Sequence, residues 1–156
     1  MSPMIDQSPA PGATAEAVER IPPIVDVDAH VVEPPSVWQD RLPARYRDVG
    51  PRVAYLPPGQ PKLDGGNYIE APGTEGDPVA WWLYEDHQYS VKRLIAAAGY
   101  PADDITMAGI TYDQMRAGCW DPVARVADME LSGVEAQLCF PNYPRFCGQL
   151  FLRGHD

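Results

Sequence analysis

Basic residues are scarce in this chain. Twelve Lys and Arg stand against 22 Asp and Glu in 156 residues, a formal net charge of -10. A nucleic-acid backbone needs clustered Lys and Arg to neutralise its phosphates, and an anionic bilayer surface repels such a chain. Neither nucleic acid nor a membrane is therefore expected as a partner. A small-molecule substrate is not excluded, because local fields differ from net charge. Cysteine is also scarce: Cys119, Cys139 and Cys147 are an odd number without CxxC spacing. They give neither a disulfide framework nor a zinc knuckle, and read as reduced, partly buried thiols. No apolar run is long enough to span a bilayer, and the N-terminus has no basic n-region followed by an apolar h-region. A cytoplasmic location is the expectation. GxSxG, P-loop and GxGxxG patterns are missing, so hydrolase elbows and nucleotide cradles have no support. Ser36, Ser90 and Ser132 have no evident base.

What is present is a globular composition, 45% apolar, with length enough for one modest domain with a core. Residues 1–20 read as a disordered tail, interrupted by Pro3, Pro9, Pro11 and Gly12. Order is expected from Ile21. Ile24 to Ala29 reads as a strand, and Val31 and Val32 extend its apolar run to a stop at Pro34-Pro35. Ser36 to Leu42 suits a short helix capped by Ser36. Arg41, Arg45, Arg47 and Arg52 form a local basic cluster, either a solvated face or a surface for acidic residues elsewhere. Residues 57–78 are Pro- and Gly-rich, an irregular excursion. Val53–Leu56 and Val79–Tyr84 flank it and suit a hairpin with a long connection. Trp81 and Trp82 face opposite ways in such a strand, so one enters the core and the other needs a second contact. Ser90 to Ala98 suits a short helix ending at Gly99.

The last third is clearer. Asp121-Pro122 is a helix start, with Asp as N-cap and Pro at the first helical position. Val123, Val126, Ala127 and Leu131 follow helical spacing, blemished by Glu130, and Gly133 is a natural stop. Val134 to Phe140 then alternates, apolar at Val134, Ala136, Leu138 and Phe140, as a strand does. A strand directly after a helix suggests α/β winding with a parallel sheet.

The stretch "IVDVDAHVVEPP", Ile24 to Pro35, carries the chemistry. Residues two apart in a strand share a face, so Asp26, Asp28 and His30 are expected on one side and Val25, Val27 and Ala29 on the other. Carboxylates and imidazoles are costly to bury without partners. Asp28 and His30, roughly 6.5 Å apart at Cα, can converge on one cation. An imidazole nitrogen with a carboxylate oxygen suits zinc, manganese or iron. A structural Asp–His pair explains the same spacing. His30 also sits near the strand's C-terminal end, where parallel α/β folds carry their chemistry. Glu33 follows as a further acid or an orienter of the ligands, while Asp26 suits a structural hydrogen-bonding role. His87 reads as a surface histidine and His155 as a frayed one.

"VDVDAHVVEPPSVWQDRLPARYRDVGPRV", Val25 to Val53, resembles the opening of the amidohydrolase superfamily. The likeness is to the branch typified by aminocarboxymuconate semialdehyde decarboxylase. "GCWDPVARVADMELSGVEAQLCFPN", Gly118 to Asn142, resembles that branch's second barrel strand with its preceding helix. The likeness runs from about Ile24 onward and is loose over about 57–110. It implies the N-terminal portion of a metal-dependent hydrolase-type TIM (β/α)8 barrel, with a divalent metal, zinc foremost, at the C-terminal mouth. Asp28 and His30 map onto the first strand's H-x-H ligands, with Asp28 replacing the first histidine. The remaining ligands and the catalytic acid or base are expected on later strands. A full barrel needs roughly 250 residues, and only two of its eight strands, 24–30 and 134–140, are recognised here. The resemblance thus implies a hydrolase or decarboxylase acting on a small carboxylated or cyclic substrate, inactive as this fragment, and a homo-oligomer at full length. The alternative is a non-catalytic interaction module that associates through open strand edges.

Overall fold

A computed structural model of the chain describes residues 22–64, 67–145 and 148–155; the tail expected over 1–20 and Cys147 lie outside the described residues. The architecture is mixed α/β. Strand β1 (Ile24–Val31) pairs in parallel with β7 (Val134–Pro141), and α1 (Pro122–Ser132) leads directly into β7. Between them lie β2 (Arg52–Leu56), β3 (Lys62–Asp64), β4 (Asn67–Ile69), β5 (Val79–Tyr84) and β6 (His87–Ser90). β2, β5 and β6 form an antiparallel sheet in the order β2-β5-β6, and β3 and β4 form a separate hairpin.

α1 forms where its caps place it. The Asp121 carboxylate accepts the N–H groups of Val123 and Ala124 at 2.9 and 2.8 Å, satisfying donors that the first helical turn leaves unpaired. Gly133 ends the helix at φ 68, a left-handed conformation that costs a residue with Cβ. The helix holds to its neighbours through polar groups. Arg125 Nε donates to Gln137 Oε1 of β7 at 2.8 Å, and Arg116 makes a two-pronged pair with Asp128 at 2.8 and 2.6 Å. The expected apolar stripe reaches no core. No helix residue is buried, and Val123 is 79% exposed.

The core lies elsewhere. The segment after Tyr84 turns back through Glu85-Asp86, and β6 completes the antiparallel sheet. Trp82, Ala80, Val91 and Ile110 pack with Val32 and Tyr143, from the exits of the two parallel strands, and with Tyr112 and Met115 from the 3-10 turn Tyr112–Gln114 and its cap. Ile110 is stitched in by main-chain bonds to Ala80 and Val91. The expected pairing of β2 with β5 is present, with Val53 opposite Trp82. Both tryptophans are buried: Trp82 in this core, and Trp81 against the neck of the excursion, its indole N–H donating to Leu56 O at 3.2 Å.

Several local expectations are corrected. Ser36–Leu42 is a run of turns, with single helical bonds from Asp40 N to Ser36 O and Leu42 N to Trp38 O, halted at Pro43. Ser90 ends β6, and only Arg93–Ala96 coils, as a 3-10 turn, because Val91 and Arg93 spend their N–H groups across to Ala80 and Ala108. The excursion 57–78, expected to be irregular, contains the short hairpin β3–β4, and β6 follows β5 where no strand was expected. The clustered arginines turn to main-chain carbonyls, Arg41 to Val37, Arg47 to Leu42 and Arg52 to Asp48. His155 is held at its backbone, its N–H donating to the Glu85 carboxylate at 2.9 and 3.1 Å.

Candidate functional site

β1 and β7 run parallel in the register Ala29↔Cys139, His30↔Phe140, Val31↔Pro141. Between Asp26 and Ala29 the strand advances three residues while β7 advances two, from Gln137 to Cys139. This extra residue at Val27–Asp28 interrupts the strict alternation expected of Asp26, Asp28 and His30. A bulge re-aims side chains at the end of a pair. Here the Asp28 N–H turns back to Asp26 Oδ1 at 3.0 Å. Asp26 is drawn into a chain of polar contacts, receiving Gln137 Nε2 at 3.4 Å while Gln137 itself accepts from Arg125. It thereby links β1, β7 and α1.

Asp28 and His30 are brought together. His30 Nε2 lies 3.8 Å from Asp28 Oδ1, with side chains 59% and 85% exposed respectively. The imidazole also sits over its register partner, the ring centroids of His30 and Phe140 being 5.9 Å apart. Two donors about 2.1 Å from one tetrahedral cation stand roughly 3.4 Å apart. Small side-chain rotations therefore close the gap. The donor types suit zinc, manganese or iron, but two donors are fewer than the three or four protein ligands such ions take. Among the described residues no group of three His, Cys, Asp or Glu gathers. The pair supplies two donor side chains within reach of one another, and no third.

Glu33, expected as an acid or ligand orienter beside this pair, is placed in the interior. Its carboxylate accepts the backbone N–H of Asn142 at 2.8 Å and of Tyr143 at 3.1 Å, while its own carbonyl accepts the Tyr112 hydroxyl at 2.8 Å. Burial pushes its carboxyl pKa up, and the hydrogen bonds to Tyr143 and Asn142 oppose that rise. Asn142 Nδ2 in turn donates to Val31 O. The two strand exits are thus tied to each other by side chains, which fixes the shape of the ledge carrying His30.

One cluster was not legible in the sequence. Ser90 Oγ donates to Glu70 at 3.0 Å, and Lys92 Nζ contacts both Glu70 and Ser90, all in the interior. The serine without an evident base has a lysine beside it after all. Lys92 Nζ is engaged as a donor to both Glu70 and Ser90, however, and the Ser90 hydroxyl is directed at the Glu70 carboxylate. The triad reads as a clamp holding the end of the β3–β4 hairpin to β6. Ser90 and Lys92, two apart at the exit of β6, were the available signal; Glu70 lies 20 residues from Ser90.

Cys119 is half-buried, and desolvation raises its thiol pKa, the opposite of what a nucleophilic thiolate needs. No family model matches the chain, and no curated protein matches it at a significant level. No helix among the described residues is long and apolar enough to cross a membrane.

Proposed function

We propose that the chain carries the opening strands of a metal-dependent hydrolase or decarboxylase of the amidohydrolase type, acting on a small carboxylated or cyclic substrate. The observation that carries this reading is the placement of Asp28 and His30. They stand 3.8 Å apart at the carboxyl end of a strand paired in parallel with the strand that follows α1. That end is where parallel α/β folds gather ligands. In this reading Asp28 and His30 supply two ligands, and further strands of a (β/α)8 barrel supply the rest together with the acid or base. A divalent metal held there by Asp28 and His30 would supply Lewis acidity, for activating a water or holding a substrate carboxylate. This chain's own contribution is to hold the imidazole in place against Phe140 and to fix the ledge through Glu33, Asn142 and Tyr143.

Equilibrium dialysis against zinc tests ligation. Wild type is expected to retain metal that His30→Ala does not, and equal metal content in both sinks the assignment. Because the described residues gather two donors and no third, the isolated chain is expected to show no turnover. Full turnover by homogeneous chain of verified mass would overturn that.

A second reading is favoured by a specific observation. Val25 and Val27 of β1 are 60% and 65% exposed and Leu138 of β7 is 57% exposed, so the parallel pair leaves apolar side chains uncovered. Such a surface suits association, either with barrel strands or as a non-catalytic interaction module. Sedimentation separates the two. Folding or assembly rescued by zinc favours the broken barrel, and metal-indifferent self-association favours the module.

A further inference from the structure

A cavity among the described residues lies away from Asp28 and His30 and shares no residue with them. It encloses about 740 Å3, within the range that small-molecule sites occupy. Its walls come from three places: the turns after β1, the β5–β6 turn and the 3-10 turn Phe151–Arg153. Phe151 meets both Trp38 and Tyr84 edge-to-face, with centroids 6.1 and 5.6 Å apart. Tyr46 stands in the same lining and remains 42% exposed. These rings give the cavity an aromatic body that favours a flat apolar ligand.

The polar groups lie at one end. Glu85 adopts a left-handed backbone at φ 48, unusual for a residue with Cβ. Its carboxylate receives the backbone N–H of His155, which leaves acceptor positions to spare. Asp86 beside it faces the His155 imidazole at 3.7 Å. The neighbouring cations are turned elsewhere. Arg45 lies over the Tyr46 ring at 4.7 Å, Arg47 donates to Leu42 O, and Arg52 donates to Asp48 O. Among the described residues of the lining, Glu85 supplies the carboxylate, with Asp86 next to it in sequence and paired with His155.

We infer that this cavity binds a small arylalkyl amine, its ring against Trp38, Tyr84 and Phe151 and its ammonium on the Glu85 carboxylate. A charge-assisted hydrogen bond of that kind discriminates sharply between a cation and an anion of the same shape. The rings add cation–π attraction for the same head group. The inference stands apart from the metal reading, since it uses neither Asp28 nor His30.

Calorimetric and NMR titrations with 2-phenylethylammonium and with 3-phenylpropionate test it. The amine is expected to bind saturably, shifting the Trp38 indole resonance, and the carboxylate at least ten-fold more weakly. Glu85→Gln is expected to weaken the amine on the order of ten-fold and to leave the carboxylate unchanged, with the melting temperature measured on the same sample to confirm folding. Trp38→Phe, which keeps a ring in place, is expected to retain binding. Equal affinity for the two probes, preference for the carboxylate, or indifference to Glu85→Gln would overturn the inference. So would a chain dimer, seen by sedimentation, that a Phe151→Ser variant dissociates, since the cavity would then seat a second copy.

Discussion

Glu33 Oε1 accepts the backbone N–H of Tyr143 at 3.1 Å, joining the exit of β1 to the exit of β7 across 110 residues of sequence. The same carboxylate takes the N–H of Asn142. Removing it leaves two interior donors without a partner, a loss that a single apolar truncation elsewhere would not cause. Glu33→Ala is expected to cost about 2–4 kcal/mol in urea unfolding, and Glu33→Gln, which keeps one acceptor oxygen, distinctly less. Equal losses in the two variants would contradict the clamp.

The pH dependence of that clamp has a definite sign. Burial raises the Glu33 pKa above its ordinary 4.5, so the folded state favours the protonated form relative to the unfolded chain. Its contribution is fully present below about pH 4.5 and is lost as pH rises through the raised folded value. The melting temperature of wild type relative to Glu33→Gln should therefore fall as pH rises above about 4.5 and level off once the pH exceeds the raised folded value. A difference that grows with pH would show that the hydrogen bonds outweigh desolvation.

Glu70 and Lys92 form an interior ion pair with side chains 6% and 5% exposed. Breaking one half strands the other charge. Lys92→Met alone is expected to cost about 3–5 kcal/mol, while the double variant Glu70→Leu/Lys92→Met recovers most of that loss. Additive losses in the double variant would mean the two side chains act independently. Chemical denaturation of the four species in one cycle decides it.

α1 rests on its caps more than on packing, since none of its residues is buried. Asp121→Ala is expected to cost about 1 kcal/mol, and Gly133→Ala, at φ 68, about 1 kcal/mol as well. Val123→Lys on its open face should change stability by less than about 0.5 kcal/mol. A large loss at Val123 would show that the face is covered in solution.

How much of this was legible in the sequence varies by element. The helix Asp121 to Gly133, the strand after it and the pairing of Val53–Leu56 with Val79–Tyr84 were readable because caps, alternation and β-branched runs are local signals. β6 was missed because its turn, Glu85-Asp86, lacks the Gly or Asn that marks hairpins, and Glu85 carries the positive φ itself. Asp28 and His30 were readable as a pair, yet the bulge that sets their aim depends on β7. Glu33 was readable only as an acid near the site; its partners lie 109 and 110 residues away, and no spacing rule reports such contacts. The apolar stripe of α1 promised a buried face, but periodicity says only which residues share a side, and not whether anything covers it.

The central claim is that Asp28 and His30 share a divalent cation, and a zinc titration followed through the imidazole resonances tests it most directly. The chain has three histidines, so His87 and His155 serve as internal references. The account predicts that the His30 resonances shift at lower zinc concentration than those of His87 or His155, and that Asp28→Asn raises the concentration required by about ten-fold. A His30 response no stronger than that of the other two, or one unchanged in Asp28→Asn, would contradict it.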